Sequence, residues 1–179
     1  MNFAVDNEVR TINKLRLRMN SILFICHGNI CRSPMAEYIM KHLVRERGLT
    51  IAGEEGVAEA DFRIDSAAVS YEETGNDIYP PAKRTLRTHG IPFGSHSAHR
   101  VTADEASEYD LLIIMDSSNR RLLSRIIRRE DMAKVHGIME YAGKPHRDVS
   151  DPWYTGDFET TYKDILAGCK GLLDFLVQS

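Results

Sequence analysis

The sequence has no apolar run of transmembrane length, no excess of basic residues, and only three cysteines among its 179 residues. A membrane-spanning helix needs about 20 consecutive apolar residues, so none is expected. A formal net charge of −3 gives no global basic field to hold nucleic acid or an anionic membrane. The N-terminus carries charges where a signal peptide would need an apolar stretch, so secretion is not expected. Three cysteines, Cys26, Cys31 and Cys169, are an odd and small set that builds no disulfide scaffold. They point to a reducing, cytoplasmic setting in which a cysteine is used for reactivity. The seven histidines are scattered, and no Cys/His cluster has metal-ligand spacing, so no metal site is expected around Cys26 and Cys31. Internal repeats and low-complexity tracts are also missing.

What is present suits one domain with a sizeable core. Hydrophobic residues make up 42% and charged residues 27%, the balance of an ordinary globular protein. Short apolar runs predict strands over 22–26, 62–67, 111–115 and 134–139. Helical periodicity and stop signals predict helices over 34–47, 81–89, 102–108, 118–129 and 157–177. Strands alternating with helices indicate βαβ units and a parallel sheet of α/β class. Ligands in such sheets bind at the carboxyl ends of strands, near the point where strand order reverses. Residues 51–61 read as an exposed loop. Residues 1–18 are polar and read as a disordered or loosely docked extension, with Met19 as an alternative start and 19–179 as the functional domain. The arginines of 120–129 alternate with an apolar face, which reads as a solvated helix and not as a nucleic-acid site.

The chemistry concentrates in Cys26-His27-Gly28-Asn29-Ile30-Cys31-Arg32-Ser33-Pro34. An apolar strand runs directly into Cys26, five residues separate it from Arg32, and Ser33-Pro34 opens an amphipathic helix. This layout suits a thiolate that attacks phosphorus. Loop amides and a helix N-terminus face the anion, and a guanidinium grips its oxygens in a planar fork. Gly28 allows close backbone approach, and Asn29 tolerates the left-handed conformation that a tight cradle needs. Attack also requires a proton for the leaving oxygen. Asp151-Pro152-Trp153-Tyr154 offers a carboxyl group on a fixed backbone beside two aromatics that would wall off the site. From that segment alone, a plain loop turn is an equal reading.

With both segments in view, the chain resembles the low-molecular-weight protein tyrosine phosphatase family over nearly all of residues 20–179. The loop 26–34 with Ala36-Glu37, and Asp151 to Tyr154, carry the resemblance. Ile64 to Ala67, Leu86 to Ile91 and Met115 to Asn119 echo it in the same order. The resemblance implies a flavodoxin-like three-layer sandwich, with helices on both faces of a four-stranded parallel sheet. It implies Cys26 as nucleophile, Arg32 as phosphate clamp and Asp151 as general acid and then base, through a phosphocysteine intermediate. His27, Gly28, Asn29, Ile30, Cys31 and Ser33 would complete the phosphate-binding loop, with Ser33 stabilising the leaving thiolate. Asn29, Ser66 and His89 would form the network supporting that loop. No cofactor or metal is implied. Phosphotyrosine proteins would be the substrates and inorganic phosphate a product. Cys31 matches a second family cysteine, which implies a reversible disulfide with Cys26.

Several positions depart from the family pattern. His27 stands where leucine is frequent. Glu72 stands where some members place an aromatic on the pocket wall, and Tyr71 beside it is a candidate replacement, with Trp153 and Tyr154 completing the pocket. Ile30 occupies the position where phosphoarginine-directed relatives carry threonine, and it suits a phenyl ring better. The alternatives are a protein arginine phosphatase on the same scaffold, a reductase relay for which the cysteine placement is wrong, and a catalytically silent phosphate-binding module.

Overall fold

The apolar run ahead of Cys26 is the buried centre of a four-stranded parallel sheet. The computed structural model describes residues 19–178, so the expectations for residues 1–18 lie outside the described residues. The strands are Asn20–Cys26 (β1), Phe62–Ala68 (β2), Leu111–Ile114 (β3) and Val135–Gly137 (β4), in the order β2-β1-β3-β4. Six α-helices accompany them among the described residues: Arg32–Glu46 (α1), Pro80–Thr88 (α2), Ala103–Ser107 (α3), Ser117–Leu123 (α4), Pro152–Thr155 (α5) and Phe158–Gln178 (α6). This is the flavodoxin-like α/β sandwich expected from the sequence.

Alternation along β1 builds both layers. Ile22, Phe24 and Cys26 face one side and pack in a core with Met35 and Ile39 of α1 and Ile165 and Leu172 of α6. Leu23 and Ile25 face the other side, with Ala106 of α3 and Leu123 of α4. Burial on both faces explains why β1 reads as a continuous apolar run. Helix α6 lies so close to the turn after β4 that a Cβ built at Gly171 would stand 1.9 Å from the Tyr141 carbonyl oxygen. Only glycine fits there.

Two elements are shorter than their periodicity suggests. The expected strand over 134–139 keeps only Val135–Gly137, because a 3-10 turn takes Ile138–Glu140. The Glu140 carboxylate accepts the Gly137 amide at 2.7 Å and fixes that turn. The expected helix over 118–129 stops at Leu123. Beyond it, Ser124 Oγ donates back to the Arg121 carbonyl at 2.9 Å, and Ile127 reaches the core from a turn. The 51–61 loop is mostly exposed, but its first residue, Ile51, is buried and bridges Phe62.

The chain passes from β1 to β2 on one side, then crosses to β3 on the other. Strand order therefore reverses beside β1, and Cys26 closes that strand.

Candidate active site

Asn29 has φ of 60°, the only positive φ outside glycine among the described residues. Holding a non-glycine residue there costs roughly 1–2 kcal/mol, so other contacts must over-determine it. They are present on every side. Asn29 Nδ2 donates to Ser33 Oγ and to Ser66 Oγ, each at 2.9 Å. Its Oδ1 accepts the His99 amide at 3.3 Å, and its carbonyl accepts His96 Nε2 at 2.7 Å. Ser66 Oγ in turn donates to Glu37 Oε2 at 2.5 Å, and Glu37 Oε1 holds Lys41 Nζ at 2.6 Å. At roughly 1 kcal/mol net for each good hydrogen bond, this network outweighs the backbone cost.

The network bends the loop around the sulfur. The Asn29 amide donates to Cys26 Sγ at 3.3 Å, and Ser33 Oγ stands 3.1 Å from the same sulfur. Cys26, Asn29 and Ser33 are all buried, and helix α1 starts at Arg32 on the far side of the loop.

Arg32 is 2% exposed and enters the cradle already oriented. Its Nη1 donates to Asp116 Oδ2 at 2.7 Å and to the Val149 carbonyl at 3.0 Å, and its Nη2 donates to Asp151 Oδ2 at 2.8 Å. Burial alone would lower its pKa. Cys26, Asp151 and Asp116 outweigh that and raise it above the ordinary value, so the guanidinium stays charged. These three bonds engage three of the five guanidinium N–H donors and leave two to grip a phosphate. Asp116 is itself fixed as the N-cap of α4, accepting the Asn119 amide at 2.7 Å. Asp151 is the N-cap of α5 and accepts the Trp153 amide at 3.1 Å.

These groups share one cleft of about 470 Å³ including its open mouth. Cys26, Arg32, Asp151, Trp153 and Tyr154 line it, as the sequence suggests, together with His27, Gly28, Ile30, Cys31 and Glu72. Trp153 and Tyr154 are strongly exposed, at 54% and 85%. Burial, then the nearby Cys26 and Asp151, push the Cys31 thiol well up, so it is a neutral thiol. The five loop residues between Cys26 and Arg32 include no lysine or arginine.

Three placements differ from expectation. His89 takes no part in the loop network. It stacks on Tyr162 with ring centroids 3.7 Å apart, and its Nε2 meets Glu159 at 2.9 Å. His96, seven residues on, holds the loop instead. The two histidines flank a turn, and sequence spacing does not say which of them reaches back to the sheet. Tyr71 does not line the cleft; Arg100 lies 4.6 Å over its ring and donates to its hydroxyl at 3.0 Å. Glu73 lines the cleft and was not anticipated. Its signal was Gly28: a Cβ there would stand 3.1 Å from Glu73 Cγ.

A buried thiol, a guanidinium and a carboxyl group at the carboxyl end of β1 have the layout of a thiol-dependent phosphatase. Residues 21–179 match the family described as low molecular weight phosphotyrosine protein phosphatase. The chain is 34% identical over 156 residues to the low molecular weight protein-tyrosine-phosphatase YfkJ of Bacillus subtilis, covering 87% of this chain and 94% of that one. It is 34% identical over 158 residues to the human low molecular weight phosphotyrosine protein phosphatase, covering 86% and 94%. The crystal structure of YfkJ superposes with a TM-score of 0.80 at 33% identity, covering 90% of this chain and 96% of that one. The enzyme SP-PTP of Streptococcus pyogenes gives 0.72 at 32% identity, covering 87% and 92%. The chain therefore belongs to the low molecular weight phosphotyrosine protein phosphatase family, and it is a hydrolase.

Proposed function

We propose that the protein removes phosphate from phosphotyrosine in proteins through a phosphocysteine intermediate. The observation that carries this reading is the convergence of Cys26, Arg32 and Asp151 on one cleft beneath two exposed aromatics. In the first step the Cys26 thiolate forms a bond to phosphorus as the phenolic P–O bond breaks in line. Asp151 gives its proton to the departing phenolate. In the second step Asp151, now a carboxylate, takes a proton from water, whose oxygen displaces sulfur and yields inorganic phosphate. The Asn29 amide and Ser33 Oγ meet the sulfur as it leaves. Arg32 and the loop amides carry the equatorial oxygens throughout. None of these steps calls on a cofactor or metal. A cytoplasmic setting, with phosphotyrosine proteins as substrates, belongs to this reading; no helix among the described residues is long and apolar enough to cross a membrane.

The test is rapid-quench hydrolysis of an aryl phosphate with intact-protein mass measurement. We expect a burst of phenol and a phosphate adduct on Cys26, both lost in Cys26→Ser. Turnover by Cys26→Ser would overturn the mechanism. A phosphoarginine substrate is the second reading on this scaffold. Ile30 on the cleft wall favours a phenyl ring over a guanidinium. Comparing phosphotyrosine and phosphoarginine peptides decides between them.

A further inference from the structure

Glu37 does not line the reaction cleft, yet it closes a chain of hydrogen bonds that ends on the nucleophile. It is buried on α1, and its two carboxylate oxygens are divided between two partners. Oε1 accepts Lys41 Nζ at 2.6 Å, and Oε2 accepts Ser66 Oγ at 2.5 Å. From Ser66 the chain runs through Asn29 Nδ2 to Ser33 Oγ, with 2.9 Å at each step. Ser33 Oγ stands 3.1 Å from Cys26 Sγ.

Two groups set the direction of this chain. The His99 backbone amide can only donate, so it holds Asn29 Oδ1 and turns Nδ2 towards the two hydroxyls. A carboxylate can only accept, so Glu37 takes the hydroxyl proton of Ser66 and leaves the Ser66 lone pairs to receive Nδ2. Ser33 Oγ likewise receives Nδ2, and its own proton remains for Cys26 Sγ or for the Ala67 carbonyl at 3.3 Å. A thiolate is the stronger acceptor of the two, because hydrogen bonds to an ionised partner are the stronger ones. Without an obligate acceptor at position 37, Ser66 is free to send its proton towards Asn29. The Asn29 amide then gains by turning over, at the cost of the long 3.3 Å bond from His99. Its Oδ1 would accept from both hydroxyls and draw the Ser33 proton off the sulfur.

We propose that Glu37 is a positioning residue for the reaction: it sets the polarity of the Ser66–Asn29–Ser33 chain so that the Ser33 hydroxyl donates to the sulfur of Cys26. The inference rests on the phosphocysteine reading above. Charge returns to the sulfur as the P–S bond breaks, so the donor matters most in the second step. Lys41 makes the requirement strict. In Glu37→Gln, Lys41 keeps hold of the side-chain oxygen and leaves the amide nitrogen facing Ser66. That nitrogen can only donate, so Ser66 must accept there and its proton turns to Asn29.

The experiment follows phosphocysteine formation and breakdown on an aryl phosphate by rapid quench, in the full chain and its variants. In E37Q we expect breakdown to slow roughly tenfold, the scale of one hydrogen bond to a charged group, with formation changed less. In the E37Q/K41M double variant the glutamine is free to turn its oxygen to Ser66, and breakdown should recover most of the wild-type rate. A residue that only packs the loop gives no such recovery. E37Q added to S33A should slow breakdown no further, since the donor is already gone. The E37Q/K41M variant buries no unpaired charge and carries the test if E37Q does not fold. Wild-type breakdown in E37Q, breakdown in E37Q/K41M about tenfold below wild type, or a full E37Q effect in the S33A background overturns the inference alone. No phosphocysteine in the wild type overturns the phosphocysteine reading and the inference with it.

Discussion

Arg32 Nη2 lies 2.8 Å from Asp151 Oδ2, so the proposed phosphate clamp and the proposed proton donor are bonded to each other before any substrate arrives. Two guanidinium N–H donors stay open for a phosphate, so Arg32 can take an oxyanion while its Nη2 keeps the Asp151 carboxyl group beside the cradle. The Trp153 amide holds the other carboxyl oxygen of Asp151.

This coupling predicts the behaviour of Asp151→Asn. The variant keeps a group of similar size beside Arg32 but has no proton to give. We expect kcat on an aryl phosphate to drop by about two to four orders of magnitude. The wild-type pH–rate profile should be a bell, and the variant should lose the basic limb. An unchanged profile would remove Asp151 from the role.

The network around Asn29 predicts a separation between backbone strain and hydrogen bonding. Asn29→Gly relieves the positive φ but deletes the bonds to Ser33, Ser66 and the His99 amide. Asn29→Ala deletes the same bonds and keeps the strain. If the bonds matter most, both variants lose about 1–3 kcal/mol of stability and at least tenfold in kcat/KM. If strain dominates, only the alanine variant suffers. Urea melts beside aryl phosphate assays distinguish the two.

Much of this was legible from residue types. Short apolar runs located the strands and period-3.6 patterns the long helices, because a parallel strand buried on both faces is apolar throughout and a helix only along one face. The cysteine loop was legible because its chemistry needs a fixed order of thiol, glycine, asparagine and arginine. The histidine that braces it was not. His89 and His96 lie on either side of the Gly90–Pro92 turn, and only the path of that loop back to Asn29 chooses between them. Glu73 was missed for a related reason: its contact to Gly28 joins segments 45 residues apart. Strand β4 was overextended because an edge strand has one paired side and yields easily to a capped turn.

The two histidines give the clearest check on that choice. His96→Ala removes the donor to the Asn29 carbonyl and should lower kcat/KM several-fold, with partial recovery in His96→Gln, which can still donate. His89→Ala removes the stack on Tyr162 and the Glu159 pair. It should lower the melting temperature while kcat/KM holds. The opposite pattern would place His89 behind the loop after all.

The pH dependence of stability has a sign that can be worked out at His99. Its hydrogen bond to Glu105 at 2.8 Å raises its pKa above 6.5; burial opposes this, and the charges of Glu105, Asp65 and Glu37 add to the rise. A raised histidine pKa contributes stability that is full below the unfolded value and is lost as pH rises through the folded one. Half-exposed, the pair contributes below about 1 kcal/mol. Glu105→Gln should therefore melt lower than wild type in mildly acidic buffer, and the gap should close as pH rises above neutrality. Thermal melts of both proteins across that window test it. A gap that widens with pH would contradict the assignment.

Cys31 lines the same cleft as Cys26, and both thiols are free. Peroxide converts the Cys26 thiolate to a sulfenic acid, reducing the peroxide to water. The Cys31 sulfur can then displace that hydroxyl as a second water and close a disulfide. The raised pKa of Cys31 leaves little thiolate to attack, so closure should be slow at neutral pH and faster in alkaline buffer. We expect wild type treated with peroxide to regain activity with dithiothreitol. Cys31→Ser should pass more quickly to the sulfinic acid and stay inactive. Thiol counting and intact mass separate these states, and equal recovery of the two proteins would show that Cys31 only packs the loop.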